Sequence, residues 1–351
     1  MPRAKKNPMV SVTEKDDVYV GLDVHKASIH VAVWKNGSLA TAWVTSADYV
    51  ALADQLEQYR LALRRVAYEA GPTGFALARL LAFRQMPVMV CAPSKTPQTA
   101  ADEAKCDRLD ARKIAEYAAK DLLSAVTIPT EKEEHERALV RHRTHVVRNI
   151  ARVKARIKST LLFHQCGEIV SWAQLERQRL LDSGLPQEIR FELEALFQEL
   201  SFFEGQKKQA EEKLQETLSH RRHAAAVKRL ESHPGVGKVV SACFVLELFR
   251  PQRFKDGDAV ARYLGLAPRV RQSGATSRGG PLLKAGQGKL RTTLIEAAWR
   301  WRTCDEKARA IYGRLLANTG NGKKAIVGLA RRLAIRLWTM WIRGEAYDPA
   351  L

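Results

Sequence analysis

Three β-rich runs in close succession open residues 17–128, and two rounds of helix followed by strand complete that segment. "VYVGLDV" and "SIHVAVW" are separated only by "HKA", and "GSLATAWV" follows the turn "KNG", so the three runs read as an antiparallel meander. "SADYVALADQLEQYRLAL" then shows helical spacing behind a Ser cap, and "RVAYEA" is a short buried strand. "TGFALARLLAFRQ" is helical again and "PVMVCA" returns to strand. A meander feeding helix–strand alternation implies a mixed sheet covered by helices. The ribonuclease H-like fold has this order, by analogy.

Carboxylates sit where such a sheet would present them. Asp23 ends the first strand in "GLDVHK", and Glu69 ends a later one in "VAYEAGPTG". Each alone reads as a turn residue. In "CDRLDARKIAEYAAK", Asp107 and Asp110 stand three residues apart before a helical run, which alone resembles a capping box. Residues i and i+3 share a helix face, so the two aspartates are neighbours. If the first strand and the Glu69 strand lie side by side, four acids converge. Gathered carboxylates repel one another unless a cation binds, and hard oxygen ligands select Mg²⁺ or Mn²⁺. Two such ions about 4 Å apart suit phosphodiester chemistry.

The charge balance points to the same substrate class. The chain of 351 residues carries 58 Lys and Arg against 38 Asp and Glu, a net charge of +20, and attracts polyanions over much of its surface. Nucleic acid is the leading partner. Cys91, Cys106, Cys166, Cys243 and Cys304 form no CxxC pair, so neither a zinc site nor a disulfide framework is indicated, and a reducing cytoplasm is expected. No run of roughly 18 apolar residues suggests a membrane span, and residues 1–16 read as a flexible basic arm.

The middle, residues 129–225, has helical periodicity only. From Arg137 to Lys158 it carries eight Lys or Arg and no acid, while Leu139, Val146, Ile150, Val153 and Ile157 form one apolar stripe. A second long segment, from Leu185 to Leu230, has a similar stripe with mixed charge, so two antiparallel helices or an intermolecular coiled coil would bury both. With no balancing carboxylate nearby, Arg141, Arg148, Arg152, Arg156 and Lys158 are expected to contact phosphate. The alternative is a solvated structural face.

Residues 226–345 begin "LESHPGVGKVVSACFVLEL", where Gly235, Gly237 and Lys238 read either as a helix-hairpin-helix turn holding a phosphate or as a plain helix–helix turn. A glycine-rich basic loop follows, with Arg269, Arg271, Arg278, Lys284, Lys289 and Arg291 placed to approach a phosphodiester. Trp299, Trp301, Trp338 and Trp341 recur at helical spacing and suit core packing better than base stacking. Residues 346–351 form a tail.

In order, "GLDVHK", "YEAGPTG", "KCDRLDARKIAEYA", "PGVGKVVSACFVLEL" and "YLGLAPRVRQSGATSRGGPLLKAGQGKLRTTLIEAAW" resemble the DEDD transposases of the insertion-sequence-one-hundred-ten family, over nearly the whole chain. The resemblance implies an α/β ribonuclease H-like (RuvC-like) domain at 17–128 and a helical coiled-coil middle. It further implies a mostly α transposase domain with a helix-hairpin-helix-like element at 226–345. It places the acidic tetrad on Asp23, Glu69, Asp107 and Asp110 and a nucleophilic serine on Ser273 in "RQSGATS", with Ser277 the rival. It also implies donor and target DNA, a structured guide RNA of the bridge type, and dimers assembling to a tetramer whose sites take acids from one copy and serine from another. The enzyme would act in the bacterial cytoplasm at the nucleoid. Cys106 and "GQGKLR" depart from the family pattern without removing a functional group. Competing readings are a RuvC-like junction nuclease without serine chemistry and a non-catalytic nucleic-acid-binding protein. A sugar-kinase-like ATPase lacks its phosphate loop after "DVHK", and Tyr263 and Tyr312 lack the constellation that tyrosine recombination needs.

Overall fold

β1 (Val18–Val24), β2 (Ser28–Lys35) and β3 (Ser38–Ser46) form the antiparallel meander, in which Gly21 pairs with Ala32 and Ala32 with Ala42. Between β2 and β3, Asn36 and Gly37 have φ of 47° and 88°. Two left-handed residues in a row match the strand twist at a two-residue turn, as Asn-Gly favours. In the computed structural model, which describes residues 10–93, 96, 107–273, 276–282 and 286–348, the chain divides into two compact units, Met1–Pro129 and Thr130–Leu351.

The first unit continues with α1 (Tyr49–Leu56), β4 (Leu63–Glu69), α2 (Ala76–Phe83), β5 (Val88–Cys91) and α3 (Asp107–Ala119). The cap of α1 is Asp48, whose side chain accepts from the Val50 and Ala51 amides, and not the expected serine, since Ser46 is taken up by β3. β4 and β5 add in parallel, for a sheet order of β3-β2-β1-β4-β5. On one face Val20, Leu22, Val31 and Tyr68 pack with Leu52 and Leu56 of α1 and Leu77 and Leu81 of α2. The other face is lined by small residues. Ala32 packs with Ala111 and Ala115 of α3, and Ala67 with Ile114, Tyr117 and Ala118.

In the second unit Thr130 and Glu133 make a reciprocal capping box, with bonds of 3.2 and 2.8 Å, at the start of α4 (Glu131–Phe163). After α5 (Gln174–Leu181) comes α6 (Gln187–Ser219), which packs along α4. The pair is antiparallel, because Arg143, Arg156 and Thr160 meet Glu211, Glu199 and Glu192 in falling order. These contacts correct in part the reading of an unbalanced basic helix. Its carboxylates come from elsewhere in the chain: Glu211, Glu204 and Glu199 of α6 pair Arg143, Lys154 and Arg156.

The rest is α7 (Arg221–Glu231), α8 (Lys238–Leu248), α9 (Gly257–Tyr263), β6 (Pro268–Ser273), β7 (Thr276–Leu282), α10 (Gly288–Cys304), α11 (Glu306–Thr319) and α12 (Gly322–Arg343). Phe244, Leu248, Leu294, Trp301, Leu329 and Leu333 centre its core. Trp301 is buried as core packing requires, whereas Trp299 is partly exposed beside Arg302. Among the described residues no helix is long and apolar enough to cross a membrane.

Candidate active site and nucleic-acid surface

Gly21 decides how α3 meets the sheet. A Cβ there would stand 2.1 Å from the Ala111 carbonyl oxygen and 2.4 Å from the Ala115 amide nitrogen, so only glycine lets the helix backbone lie on β1. The direction of α3 follows from its far end. Arg65, in register with Tyr19 near the start of β1, donates to Asp121 just past the helix at 2.8 Å. α3 therefore runs antiparallel to β1 and β4, and its first turn, with Asp107 and Asp110, is directed toward the ends where those strands finish.

Asp23 and Glu69 stand at those ends. Side chains alternate along a strand, so Asp23 shares a face with Gly21, and Glu69 with Ala67, which is the face α3 covers. Leu22 and Tyr68 pair across the strands, which makes the two acids next in register. Both are half-buried. His25 Nε2 donates to Asp23 Oδ2 at 2.9 Å, and Thr96 Oγ1 donates to Glu69 Oε1 at 2.7 Å. Asp110 is exposed, and the Asp107 side chain lies outside the described residues.

Burial, and then the charge of Glu69, push the neighbouring Cys91 thiol up to about 11. The carboxylate oxygens of Asp23 and Glu69 at the strand ends are donors suited to a hard cation. Among the described residues no three His, Cys, Asp or Glu gather closely enough to hold a metal. Asp110 is among those residues, so Asp23, Glu69 and Asp110 do not by themselves make such a group.

The basic loop expected around Ser273 is a two-stranded ribbon. Pairing runs Ser273 with Thr276, Gln272 with Ser277 and Arg271 with Arg278. Arg269 lies on β6, while Lys284 lies outside the described residues.

The expected phosphate contacts divide into groups. Arg141 donates through Nε and Nη2 to Glu247 of α8 at 3.0 and 3.1 Å, and Arg137, unsuspected from sequence, joins it at 3.3 Å. Arg156 is paired with Glu199, Lys158 lies 6.0 Å from the centre of the Trp172 ring, and Arg152 reaches Asn149 at 3.5 Å. Arg291 donates to the Gly265 carbonyl. Arg148, Gly235 and Lys289 are brought together along one groove. Gly235 has a structural reason of its own: φ is 82°, and a Cβ would stand 2.6 Å from the Trp301 amide nitrogen. Gly237, by contrast, faces open space, and Lys238 is exposed beside it.

Two family models match the chain. A transposase model of the DEDD IS110 type matches residues 20–165, a span that includes all four acids, and the Transposase IS116/IS110/IS902 family model matches residues 227–313, which includes Gly235 and Ser273. The Sinorhizobium fredii protein y4qE, itself a proposed transposase, is 29% identical over 297 residues, covering 83% of this chain and 74% of its own. A probable family 20 transposase of Pseudomonas aeruginosa is 27% identical over 70% of this chain and 74% of its own. The transposase for insertion sequence element IS1533 of Leptospira borgpetersenii is 24% identical over 92% of this chain and 95% of its own.

Proposed function

We propose that the chain is an insertion-sequence transposase of the IS110 family that cuts and rejoins DNA by serine transesterification at a site built on a carboxylate tetrad. The observation that supports this reading is the lie of α3, antiparallel on β1 and β4, which puts the start of the helix at the strand ends where Asp23 and Glu69 stand. With its parallel β1, β4 and β5 behind a meander, the sheet is consistent with the RuvC-like form of the ribonuclease H-like fold. Asp23, Glu69, Asp107 and Asp110 would hold Mg²⁺ or Mn²⁺, which when bound supplies neutralising charge at a phosphate.

Ser273 is the proposed nucleophile. Its Oγ loses a proton and bonds to phosphorus, the bond from phosphorus to one deoxyribose oxygen breaks, and that oxygen takes a proton. The serine ester conserves the bond, so attack by another DNA hydroxyl rejoins the strand and releases the serine. Arg271 and Arg278, paired in the same ribbon as Ser273, are suited to stabilise charge on the phosphorane. Ser273 stands directly before Gly274, as the family resemblance places its serine, which supports the choice over Ser277.

Donor and target DNA are the substrates, selected by a structured guide RNA. The enzyme works as an oligomer in the cytoplasm at the nucleoid, with acids of one copy serving the serine of another. Gly235 and Gly237 flank a turn of helix-hairpin-helix type. Incubating the protein with Mg²⁺ and its element's DNA, then denaturing, tests the chemistry. A covalent protein–DNA adduct is expected in wild type and in Ser277→Ala, and is lost in Ser273→Ala and Asp23→Asn. Cleavage with no adduct in wild type would instead assign a hydrolytic junction nuclease.

A further inference from the structure

A groove of roughly 460 Å³ runs in the second unit between α4, the start of α8 and α10. Arg148 of α4 and Lys289 and Arg300 of α10 line it, and Glu296 is the one acid among its lining residues. Arg148 and Arg300 make no ion pair among the described residues, unlike Arg143 at the groove edge, which Glu211 neutralises. Positive charge is packed here at a cost. Lys289 Nζ lies 2.8 Å from His145 Nε2, a contact only a neutral imidazole can accept. The Lys289 charge, ahead of Arg148 and His142, holds His145 below its ordinary value. Burial first, then Arg148 and Arg141, does the same to Lys289. Mutual repulsion of this kind is relieved by an anion.

The wall from α8 adds donors. Val239 and Val240 line the groove in the first turn of that helix, whose cap, Gly237, has no side chain to accept their amides. The first turn contains no acid. A phosphate oxygen is the usual partner for such a helix start next to cations. Shape then separates a point anion from a polymer. Lys289 and Arg300 are eleven residues apart on α10, about 16 Å at the rise of an α-helix. That length spans about five nucleotides of a strand at roughly 3.4 Å each.

We propose that this groove seats the sugar–phosphate backbone of a nucleic-acid strand, with Arg148, Lys289 and Arg300 as the phosphate ligands. The proposal rests on the transposase reading only for the presence of a nucleic-acid partner, not for the serine chemistry. Glu296, set between Lys289 and Arg300 on α10, opposes binding and limits its strength.

The test measures binding of the full chain, in EDTA so that no strand is cut, to a fluorescent mixed-sequence DNA duplex and a fluorescent RNA hairpin across a potassium chloride titration. Arg148→Gln and Lys289→Gln are each expected to lower the slope of log K against log salt by about one. Lys289→Arg keeps the slope, Glu296→Gln tightens binding, and Arg179→Gln, on α5 and paired with Glu176, changes neither. Loss on DNA alone, RNA alone or both supports the groove and names its strand. Unchanged slopes in both groove variants, with wild type binding normally, overturn the groove and leave the transposase reading intact. Wild type that binds neither probe overturns both. Thermal melts of each variant identify misfolding, and the gain expected of Glu296→Gln does not depend on a damaged protein.

Discussion

Replacing Gly21 with Ala adds one methyl group at the contact that positions α3. The new Cβ would stand 2.1 Å from the Ala111 carbonyl and 2.4 Å from the Ala115 amide, where ordinary contact begins at 3.4 Å. Both neighbours are backbone, so no rotamer relieves the clash, and the helix must retreat by more than an ångström. Overpacking of this severity costs about 3 kcal/mol, which lowers the melting temperature of a unit this size by roughly 10 °C. The same retreat carries Asp107 and Asp110 away from Asp23 and Glu69. A displacement of about 1 Å at a reacting centre costs on the order of a hundredfold in rate. Urea denaturation and DNA cleavage, measured at low temperature where Gly21→Ala is folded, should both register the loss. Gly37→Ala is the control: φ is 88° with nothing within 4 Å, so about 1 kcal/mol is lost and cleavage per folded molecule is kept. Cleavage at the wild-type rate by folded Gly21→Ala would refute the role of α3 in placing the acids, and an unchanged denaturation midpoint would refute the packing argument.

Asp23→Asn and Glu69→Gln should each leave the melting temperature within a few degrees of wild type while cleavage in Mg²⁺ falls by at least about a hundredfold. Glu247→Gln should destabilise by about 3–5 kcal/mol in urea, because Arg137, whose side chain is only 10% exposed, loses its counter-charge along with Arg141. Replacing the pair together, Arg137→Met with Glu247→Leu, should recover much of that loss. His233 lies buried against the Trp301 and Tyr347 rings, and burial lowers its pKa from 6.5 to about 4. The unfolded chain therefore binds the proton first. The contribution is complete above pH 6.5, declines by about 3 kcal/mol as pH falls to 4, and is constant below that. Urea midpoints of wild type and His233→Gln across that window should converge as pH falls, and parallel curves would contradict the assignment.

Local order in this chain is legible because it depends on neighbours. The alternation of "VYVGLDV" and "SIHVAVW", the Asn-Gly turn and the helical spacing of α4 and α6 each act within a few residues, and the meander, hairpin and long helices follow from them. The acids at the ends of β1 and β4 are visible for the same reason. Even so, the local signal misplaced the α1 cap by two residues and read the β6–β7 ribbon as a loop, since basic and glycine-rich residues obscure a two-residue alternation. Tertiary structure decided what distance along the chain conceals. Much of the apparently unbalanced charge of α4 is matched by carboxylates 43 to 110 residues away, because helices that are remote in sequence bring opposite charges together only once they pack. Gly235 looked like a phosphate turn but is also where α7 and α8 let the backbone of α10 approach. Gly21 carried no functional signal in its strand, yet its missing side chain sets how closely α3, whose start bears the aspartates that the sequence had already marked, approaches β1.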